Sequence, residues 1–130
     1  LCIAKTKTSI CHSISYPITS YFKVPHGLAC AFTMNAVTNY IKEHSEIKVT
    51  HRWEKISRLT GFSKNDFLNS INLFSKEMKI SKSIKKYIPT INHLTNIKEE
   101  MYTPERMENF ILPVKIEDIE RILVNSWIDN

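Results

Sequence analysis

Glycine is scarce in this chain, and that scarcity restricts the fold more than any other feature of the sequence: only Gly27 and Gly61 occur among 130 residues. Tight β-turns and phosphate-binding loops need residues that adopt positive φ angles without steric cost. The chain is therefore unsuited to a β-rich fold with many turns, or to a glycine-rich nucleotide loop. Its length suits one domain with a substantial core. Since no alternating strand pattern and no internal repeat occur, we predict one all-α domain over 1–130.

The first two helices are predicted to flank a connection bounded by prolines. A helix can run over 1–16 and end before Pro17, because proline disfavours the helical conformation of the preceding residue. The segment 18–26 then forms the connection, and Gly27 opens a second helix that runs to about Glu43. Apolar residues cover most of the circumference of this second helix, which is typical of a helix at the centre of its domain.

Apolar stripes and helix-boundary residues also predict the remaining elements. The boundary signals are a stop glycine, a capping box, an internal proline and a proline at the first helical position. In chain order we predict a helix over 49–59 stopped by Gly61, a helix capped by Ser63 and Asp66, a short helix and a loop separated by Pro89, a helix that starts at Thr103-Pro104, and a last helix over 116–127.

The net charge of +5 and the cysteine content indicate which binding partners and which cellular compartment suit this chain. The densest lysine stretch, 76–86, has its nearest aromatic, Tyr87, only at its edge, so we interpret it as a solvated helical surface and not as a nucleic-acid patch. Three cysteines, an odd number, do not form a disulfide framework and are typical of reduced thiols in a cytoplasmic protein. No apolar run approaches the ~20 residues that cross a bilayer. We therefore expect a cytoplasmic protein that binds neither nucleic acid nor membrane.

The segment 11–30 contains the side chains best suited to bind a metal ion or to take part in catalysis. His12 is predicted near the end of the first helix, and His26 stands fourteen residues later, directly before the second helix. Two neutral imidazoles that converge at a helix–turn–helix junction can form half of a divalent metal site. The alternative from the residues alone is that one histidine caps a helix while the other is a hydrogen-bonded core residue.

Cys11 and Cys30 stand at the two ends of this segment. Adjacent helical residues point about 100° apart, so Cys11 and His12 cannot easily share one metal ion. Cys30 lies one turn after His26, and a zinc site on these two residues is geometrically possible. Buried structural thiols are nevertheless the default interpretation of both cysteines. The other histidines stand in polar surroundings and are predicted at the surface: His44, His51 and His93.

The pattern around the two histidines resembles the signature of the iron-containing alcohol dehydrogenases in the order and spacing of these residues: His12, Tyr16, Pro17, Pro25, His26, Gly27 and Ala29. The segments 104–109 and 114–119 are similar to the C-terminal end of the same family, so the resemblance covers nearly the whole chain. It implies a helical bundle that corresponds to the C-terminal part of the family's dehydroquinate synthase-like fold. The chain would then be a fragment that lacks the N-terminal α/β nucleotide-binding domain.

The resemblance also implies a chemistry. Family members hold Fe(II), or sometimes Zn(II), on one aspartate and three histidines; His12 and His26 match the last two, and the other ligands are expected upstream of Leu1. NAD or NADP is bound mainly by the α/β domain and exchanges a hydride with a small alcohol or aldehyde, whose oxygen the metal polarises. The full-length enzyme is expected to be a homodimer or a higher oligomer. Two histidines alone should hold metal weakly, so we expect the isolated chain to be inactive.

Two further features refine this expectation. Many family members carry a second histidine, often with a proton-relay or substrate-side role, where this chain has Tyr16. Residues 12 and 16 share a helix face, so Tyr16 could take a catalytic role at the site, but a phenol titrates at about pH 10 and is a poor relay at neutral pH unless perturbed. A tyrosine packed at a helix end is the alternative. The run around Lys5, Lys7 and Thr8 is similar to a subgroup that reduces phosphonoacetaldehyde, and these side chains could bind the phosphonate. A solvent-facing lysine pair is the alternative there.

A different class of function is compatible with the same residues. The chain could be a non-catalytic helical module that serves interaction or oligomerisation. One observation would distinguish the enzyme from the non-catalytic module, namely whether the upstream coding sequence encodes the α/β domain and the missing metal ligands.

Overall fold

The computed structural model describes residues 8–44 and 47–128, and every regular element in these ranges is helical. The predicted all-α class is therefore confirmed. None of the described helices is both long and apolar enough to span a membrane. The elements follow in this order: α1 (Ile10–Phe22), α2 (His26–Glu43), α3 (Ile47–Thr60), α4 (Lys64–Glu77), α5 (Ile80–Ile84), α6 (Ile91–Thr95), a 3-10 helix (Lys98–Met101), α7 (Pro104–Met107) and α8 (Ile116–Ile128).

α1 does not end at Pro17, as the sequence predicted, but continues through it to Phe22. Pro17 lacks the backbone N–H that would pair with the carbonyl of Ser13, and such a loss usually kinks or breaks a helix. Burial on both sides of the proline offsets the loss, because one face of α1 lies in the core. The isoleucines of this face are at most 1% exposed: Ile10, Ile14 and Ile18.

The connection between α1 and α2 is accordingly shorter than the predicted 18–26 and covers only 23–25. Lys23 adopts a φ angle of 56°, and its N–H donates to the carbonyl of Thr19, which ends α1. Val24 is 1% exposed and anchors the connection in the core. A short, anchored connection makes α2 fold back along α1.

α2 begins at His26, one residue earlier than predicted. It packs against α1, α4, α5 and α8, which confirms its predicted central position. The Cys30 thiol contacts Ser15, whereas Thr33 lies beside Cys11. Since later residues of α2 meet earlier residues of α1, the two helices are antiparallel and form a hairpin.

The turn between α3 and α4 follows the prediction. Gly61 adopts a φ angle of 74° at the end of α3. The Ser63 hydroxyl accepts a hydrogen bond from the N–H of Asp66, and the Asp66 carboxylate accepts one from the N–H of Ser63. The predicted capping box is therefore confirmed.

The start of α7 is tied to α1. α7 begins at Pro104 as predicted, but the Thr103 hydroxyl does not cap it; this hydroxyl accepts a hydrogen bond from the Arg106 guanidinium at 3.3 Å. Ser13, which is 1% exposed, donates to the carbonyl of Met101 at 2.5 Å and accepts from the N–H of Thr103 at 3.2 Å. These bonds place α7 beside the N-terminal half of α1.

The other C-terminal predictions hold, with one correction. Pro89 separates two segments, but the predicted loop after it contains the short helix α6. Leu94 is fully buried and holds α6 against the core. The last helix exceeds the predicted 116–127 by one residue, and the predicted stripe supplies three buried side chains: Ile119, Ile122 and Leu123.

Candidate metal centre

His12 and His26 face each other across the α1–α2 hairpin. His12 lies in the first turn of α1, and not near its end as predicted, because α1 continues through Pro17. His26 is the first residue of α2 and directly follows the short connection. Their ring centroids are 5.5 Å apart, and the ring planes make an angle of 60°. The structure thus brings together the two imidazoles that the sequence singled out.

Cys30 joins this pair from one turn further along α2. Its Sγ lies 3.6 Å from Nε2 of His26, and its thiol donates a hydrogen bond to Ser15 Oγ at 3.2 Å. One ring nitrogen of each histidine and the Cys30 sulfur all lie within 4.8 Å of one another. His12 and Cys30 are half-buried and His26 is exposed. The structure thus places Cys30 beside His26, as the sequence alternative of a zinc site on these two residues requires, and the signal for this position was their four-residue spacing. A ligand role for Cys30 stays a prediction.

The three donor atoms fit a divalent transition metal. A tetrahedral zinc ion, with Zn–N bonds of about 2.0–2.1 Å and Zn–S bonds of about 2.3 Å, keeps its ligand atoms roughly 3.3–3.6 Å apart. The distance of 3.6 Å between Cys30 Sγ and His26 Nε2 already has this value. The widest pair lies no more than 4.8 Å apart, a separation that shortens when all three atoms bind one ion. Imidazole suits both Fe(II) and Zn(II), so the residues fit either metal.

Tyr16 lies beside the histidines. Its ring centroid is 5.3 Å from that of His26, with 30° between the ring planes. The guanidinium carbon of Arg106 lies over the Tyr16 ring, 4.6 Å from its centroid, which is a cation–π contact. Tyr16 is 44% exposed and stands in the middle of α1. It is therefore not a residue packed at a helix end, and small molecules can reach its phenol.

Arg106 connects Tyr16 with Thr8. Its Nε donates to Thr8 Oγ1 at 3.3 Å, while its other bond goes to Thr103. No carboxylate of the described residues forms an ion pair with this guanidinium. Lys5 and Lys7, which were predicted to bind a phosphonate together with Thr8, lie outside the described residues.

A cleft of about 420 Å³ opens beside Tyr16 and Arg106. Its wall also includes Glu100, whose carboxylate accepts a hydrogen bond from the Tyr21 hydroxyl at 2.7 Å. Sequence reasoning did not place Arg106 beside Tyr16, because ninety residues separate the two. The cleft presents a cation, an acid and hydroxyl groups, and it suits a small polar molecule.

Cys11 has different surroundings from Cys30. Burial raises the pKa of its thiol to about 11, and the adjacent Thr33 hydroxyl only partly opposes this effect. A thiol that keeps its proton at neutral pH is a poor nucleophile and a poor metal ligand. Cys11 therefore fits the structural role that the sequence predicted.

The remaining histidines lie away from this cluster in the chain. His51 and His93 are exposed, as predicted. His44 is only half-buried at the end of α2, where its Nδ1 lies 2.7 Å from the carbonyl of Tyr40 and its ring lies 4.3 Å from the Tyr40 ring. His44 is therefore less exposed than the other two histidines, because the aromatic ring one turn earlier covers part of it.

A comparison with models of known protein families gives a match over nearly the whole chain. The family model described as Fe-containing alcohol dehydrogenase family, C-terminal, matches residues 1–127. No curated protein and no solved structure matches the chain. The matched range contains the α1–α2 hairpin with His12 and His26, and the helical class observed here agrees with that domain. The chain therefore belongs to the Fe-containing alcohol dehydrogenase family and corresponds to its C-terminal domain.

Proposed function

We propose that the chain is the metal-binding half of a metal-dependent, NAD(P)-linked alcohol dehydrogenase or aldehyde reductase. The observation that carries this proposal is the convergence of His12 and His26, whose ring centroids are 5.5 Å apart, in a chain that belongs to this family. Imidazole is the commonest side-chain ligand of transition metals. Two imidazoles on a rigid helical hairpin are a suitable half of such a site.

Each residue of the centre has a separate task in this proposal. His12 and His26 hold the metal through one neutral ring nitrogen each, and the hairpin sets their separation. When bound, Fe(II) or Zn(II) supplies Lewis-acid polarisation of the alcohol or aldehyde oxygen, while NAD(P) exchanges the hydride. Tyr16, exposed beside His26, donates or accepts a hydrogen bond at that oxygen and moves its proton to or from solvent. Arg106 positions the Tyr16 ring through the cation–π contact.

The remaining parts of the enzyme are proposed to come from outside this chain. An N-terminal α/β domain would bind NAD or NADP, and an aspartate and a third histidine would complete the ligand set. The full-length enzyme would be a homodimer or a higher oligomer. On this proposal the helical domain by itself has no dehydrogenase activity, since the nucleotide-binding surface belongs to the other domain.

The proposed substrate is a small alcohol or aldehyde, and within that class we propose a phosphonate aldehyde. Support comes from Arg106, which reaches Thr8 and forms no ion pair with the described residues. A guanidinium pairs strongly with phosphonate-type oxygens. The full-length enzyme should then show a higher kcat/KM for phosphonoacetaldehyde than for a neutral aldehyde of similar size, and equal values would contradict the phosphonate assignment.

Metal analysis of histidine variants tests the proposed function. In the full-length enzyme, His12→Ala and His26→Ala should each lose bound iron or zinc. Each should also lower kcat/KM at least ~100-fold, because Lewis-acid stabilisation amounts to several kcal/mol. His51→Ala is the matched control, since this exposed histidine lies on α3, and it should keep metal and activity. Stoichiometric metal and full activity in His12→Ala would exclude the proposed site.

A non-catalytic helical interaction or oligomerisation module is the second candidate. Large exposed apolar side chains favour it, because such surface commonly marks an interface. If the full-length protein held no metal and showed no NAD(P)-dependent turnover while its oligomeric state stayed intact, the module would be favoured over the dehydrogenase. Five of the large exposed apolar side chains lie on or next to α3 and α4: Leu59 at 75%, Phe62 at 53%, Leu73 at 57%, Phe74 at 45% and Met78 at 57%.

A further inference from the structure

We propose that the sulfur of Cys30 is a third protein ligand of the metal, so that this chain offers a site of two nitrogens and one sulfur on His12, His26 and Cys30. The inference rests on the proposed function in one respect, namely a metal at the two histidines. It goes beyond that function, because the ligand set implied by the family resemblance consists of one aspartate and three histidines and contains no thiolate.

The periodicity of α2 places Cys30 at the site. Residues four apart on a helix share a face, so Cys30 and His26 project to the same side. The sulfur lies 3.6 Å from His26 Nε2, as expected for nitrogen and sulfur donors on one tetrahedral metal ion. His12 approaches from the facing helix, and its donor nitrogen lies within 4.8 Å of both others. Donors from two helices thus surround one point.

Ser15 holds the thiol at this point. Its hydroxyl is fully buried, accepts a hydrogen bond from the Cys30 thiol at 3.2 Å and donates one to the carbonyl of His12 at 3.0 Å. One small group therefore links Cys30 to the turn of α1 that carries His12. Outer groups of this kind commonly orient metal ligands. Once the thiol has lost its proton, the hydroxyl can rotate and donate to the sulfur instead.

The sulfur would also determine which metals bind. Binding breaks the S–H bond of Cys30 and forms a sulfur–metal bond, the proton passes to solvent, and no electron is transferred. Thiolate is a soft ligand that favours Zn(II) and related ions over hard cations such as Mg(II). In the isolated chain, these three protein ligands leave the fourth tetrahedral position open to water. The isolated chain should therefore bind a transition metal more tightly than two histidines alone would allow.

Titration of the purified 130-residue chain with Co(II) under reducing conditions measures this site, because a cobalt–thiolate bond produces a near-ultraviolet charge-transfer absorption that cobalt–imidazole bonds lack. The wild-type chain should show the absorption. Cys30→Ser should lose it and bind Co(II) more weakly, by more than the roughly 10–100-fold that removal of a supporting outer group costs. The double variant Cys2→Ser/Cys11→Ser keeps Cys30 as its single thiol and should behave like the wild type.

Zinc protection gives a second readout that needs no substitution at Cys30. Zn(II) should protect Cys30 of the wild-type chain from alkylation, measured by mass spectrometry of the peptide that contains it, whereas Mg(II) should not. Equal labelling with and without Zn(II) would overturn the proposal even if Cys30→Ser failed to fold.

The possible results distinguish a failure of the Cys30 proposal from a failure of the proposed metal site on the two histidines. Wild-type Co(II) affinity in Cys30→Ser, or no Co(II) binding by the wild-type chain, would exclude Cys30 as a ligand and leave the histidine site of the full-length enzyme standing. Wild-type affinity in both His12→Ala and His26→Ala would exclude the histidine site itself. Far-UV circular dichroism should show that all variants keep the helical fold.

Discussion

Cys11 and Cys30 lie on the two facing helices of one hairpin, yet their surroundings give them different chemistry. Burial raises the pKa of Cys11 to about 11, and the thiol stays protonated at neutral pH. Cys30 is half-buried and contacts Ser15 and His26. The same residue type is therefore a structural group at one position and a candidate ligand at the other. The spacing to the neighbouring histidine already separates them in the sequence, because Cys30 lies one helical turn from His26 whereas Cys11 is directly adjacent to His12.

Cys11 should make the stability of the domain depend on pH in alkaline solution. Its pKa of about 11 in the folded chain lies above the unperturbed value of 9.0, so the unfolded chain loses this proton first. The stabilising contribution is therefore complete below about pH 9 and is lost as the pH rises to about 11. Between these pH values, metal-free wild type should lose on the order of 2 kcal/mol more unfolding free energy than Cys11→Ala, as measured by urea denaturation.

The comparison between wild type and Cys11→Ala has an internal control. Burial also raises the pKa of Tyr40, but this phenol titrates in both proteins and its effect cancels in the difference. Parallel pH profiles for the two proteins would show that Cys11 is not the titrating group.

At the level of elements, α4 and α1 illustrate two different ways in which a helix boundary is set. The start of α4 depends on a reciprocal pair of hydrogen bonds between Ser63 and Asp66, which are three residues apart. Such a boundary can be predicted from the sequence. The end of α1 depends on the burial of Ile14 and Ile18 against other helices, which overrides the local effect of Pro17. Such a boundary cannot be predicted from the proline alone.

The capping box of α4 can be tested by removing one hydroxyl. Ser63→Ala should lower the unfolding free energy by about 1 kcal/mol, because the N–H of Asp66 loses its partner. Ser70→Ala on the same helix is the control, since the exposed Ser70 hydroxyl only donates back to the carbonyl of Asp66. Equal urea midpoints for the two variants would argue against a stabilising cap.

At the scale of the whole molecule, the candidate centre depends on contacts between α1 and a segment about ninety residues later in the chain. Arg106 of α7 lies over Tyr16 of α1 and donates to Thr8. α7 is in turn held beside α1 by Ser13, whose hydroxyl bonds to Met101 and to the N–H of Thr103. The surroundings of the centre therefore form only when the C-terminal segment packs on the α1–α2 hairpin.

Ser13 provides a test of this long-range contact. Ser13→Ala should lower the unfolding free energy by about 1–3 kcal/mol, because it leaves the carbonyl of Met101 and the N–H of Thr103 without their partner in a buried place. The control is Ser20→Ala, an exposed position on the same helix. If both substitutions shifted the chemical denaturation midpoint equally, the contact would contribute nothing to stability.

The sequence by itself determined the helical class, the position of α2 and the caps around Gly61 and Ser63, and its motif spacing selected His12, His26 and Tyr16 as candidate site residues. Glycine scarcity is a property of the composition, and apolar periodicity, capping pairs and motif spacing are properties of residues close together in the chain. Their physical effects operate within a few turns of helix, so they are visible without coordinates.

Only the tertiary structure decided how these parts combine. It placed Pro17 inside a helix, moved His12 to the start of α1, brought a ring nitrogen of His12 within 4.8 Å of the Cys30 sulfur and set Arg106 over Tyr16. Each of these outcomes depends on which side chains become buried against partners that lie far away in the sequence. Burial and packing of that kind arise only when the whole domain folds. The stabilising free energy comes from apolar surfaces on segments distant in the chain, which pack together and are thereby removed from water.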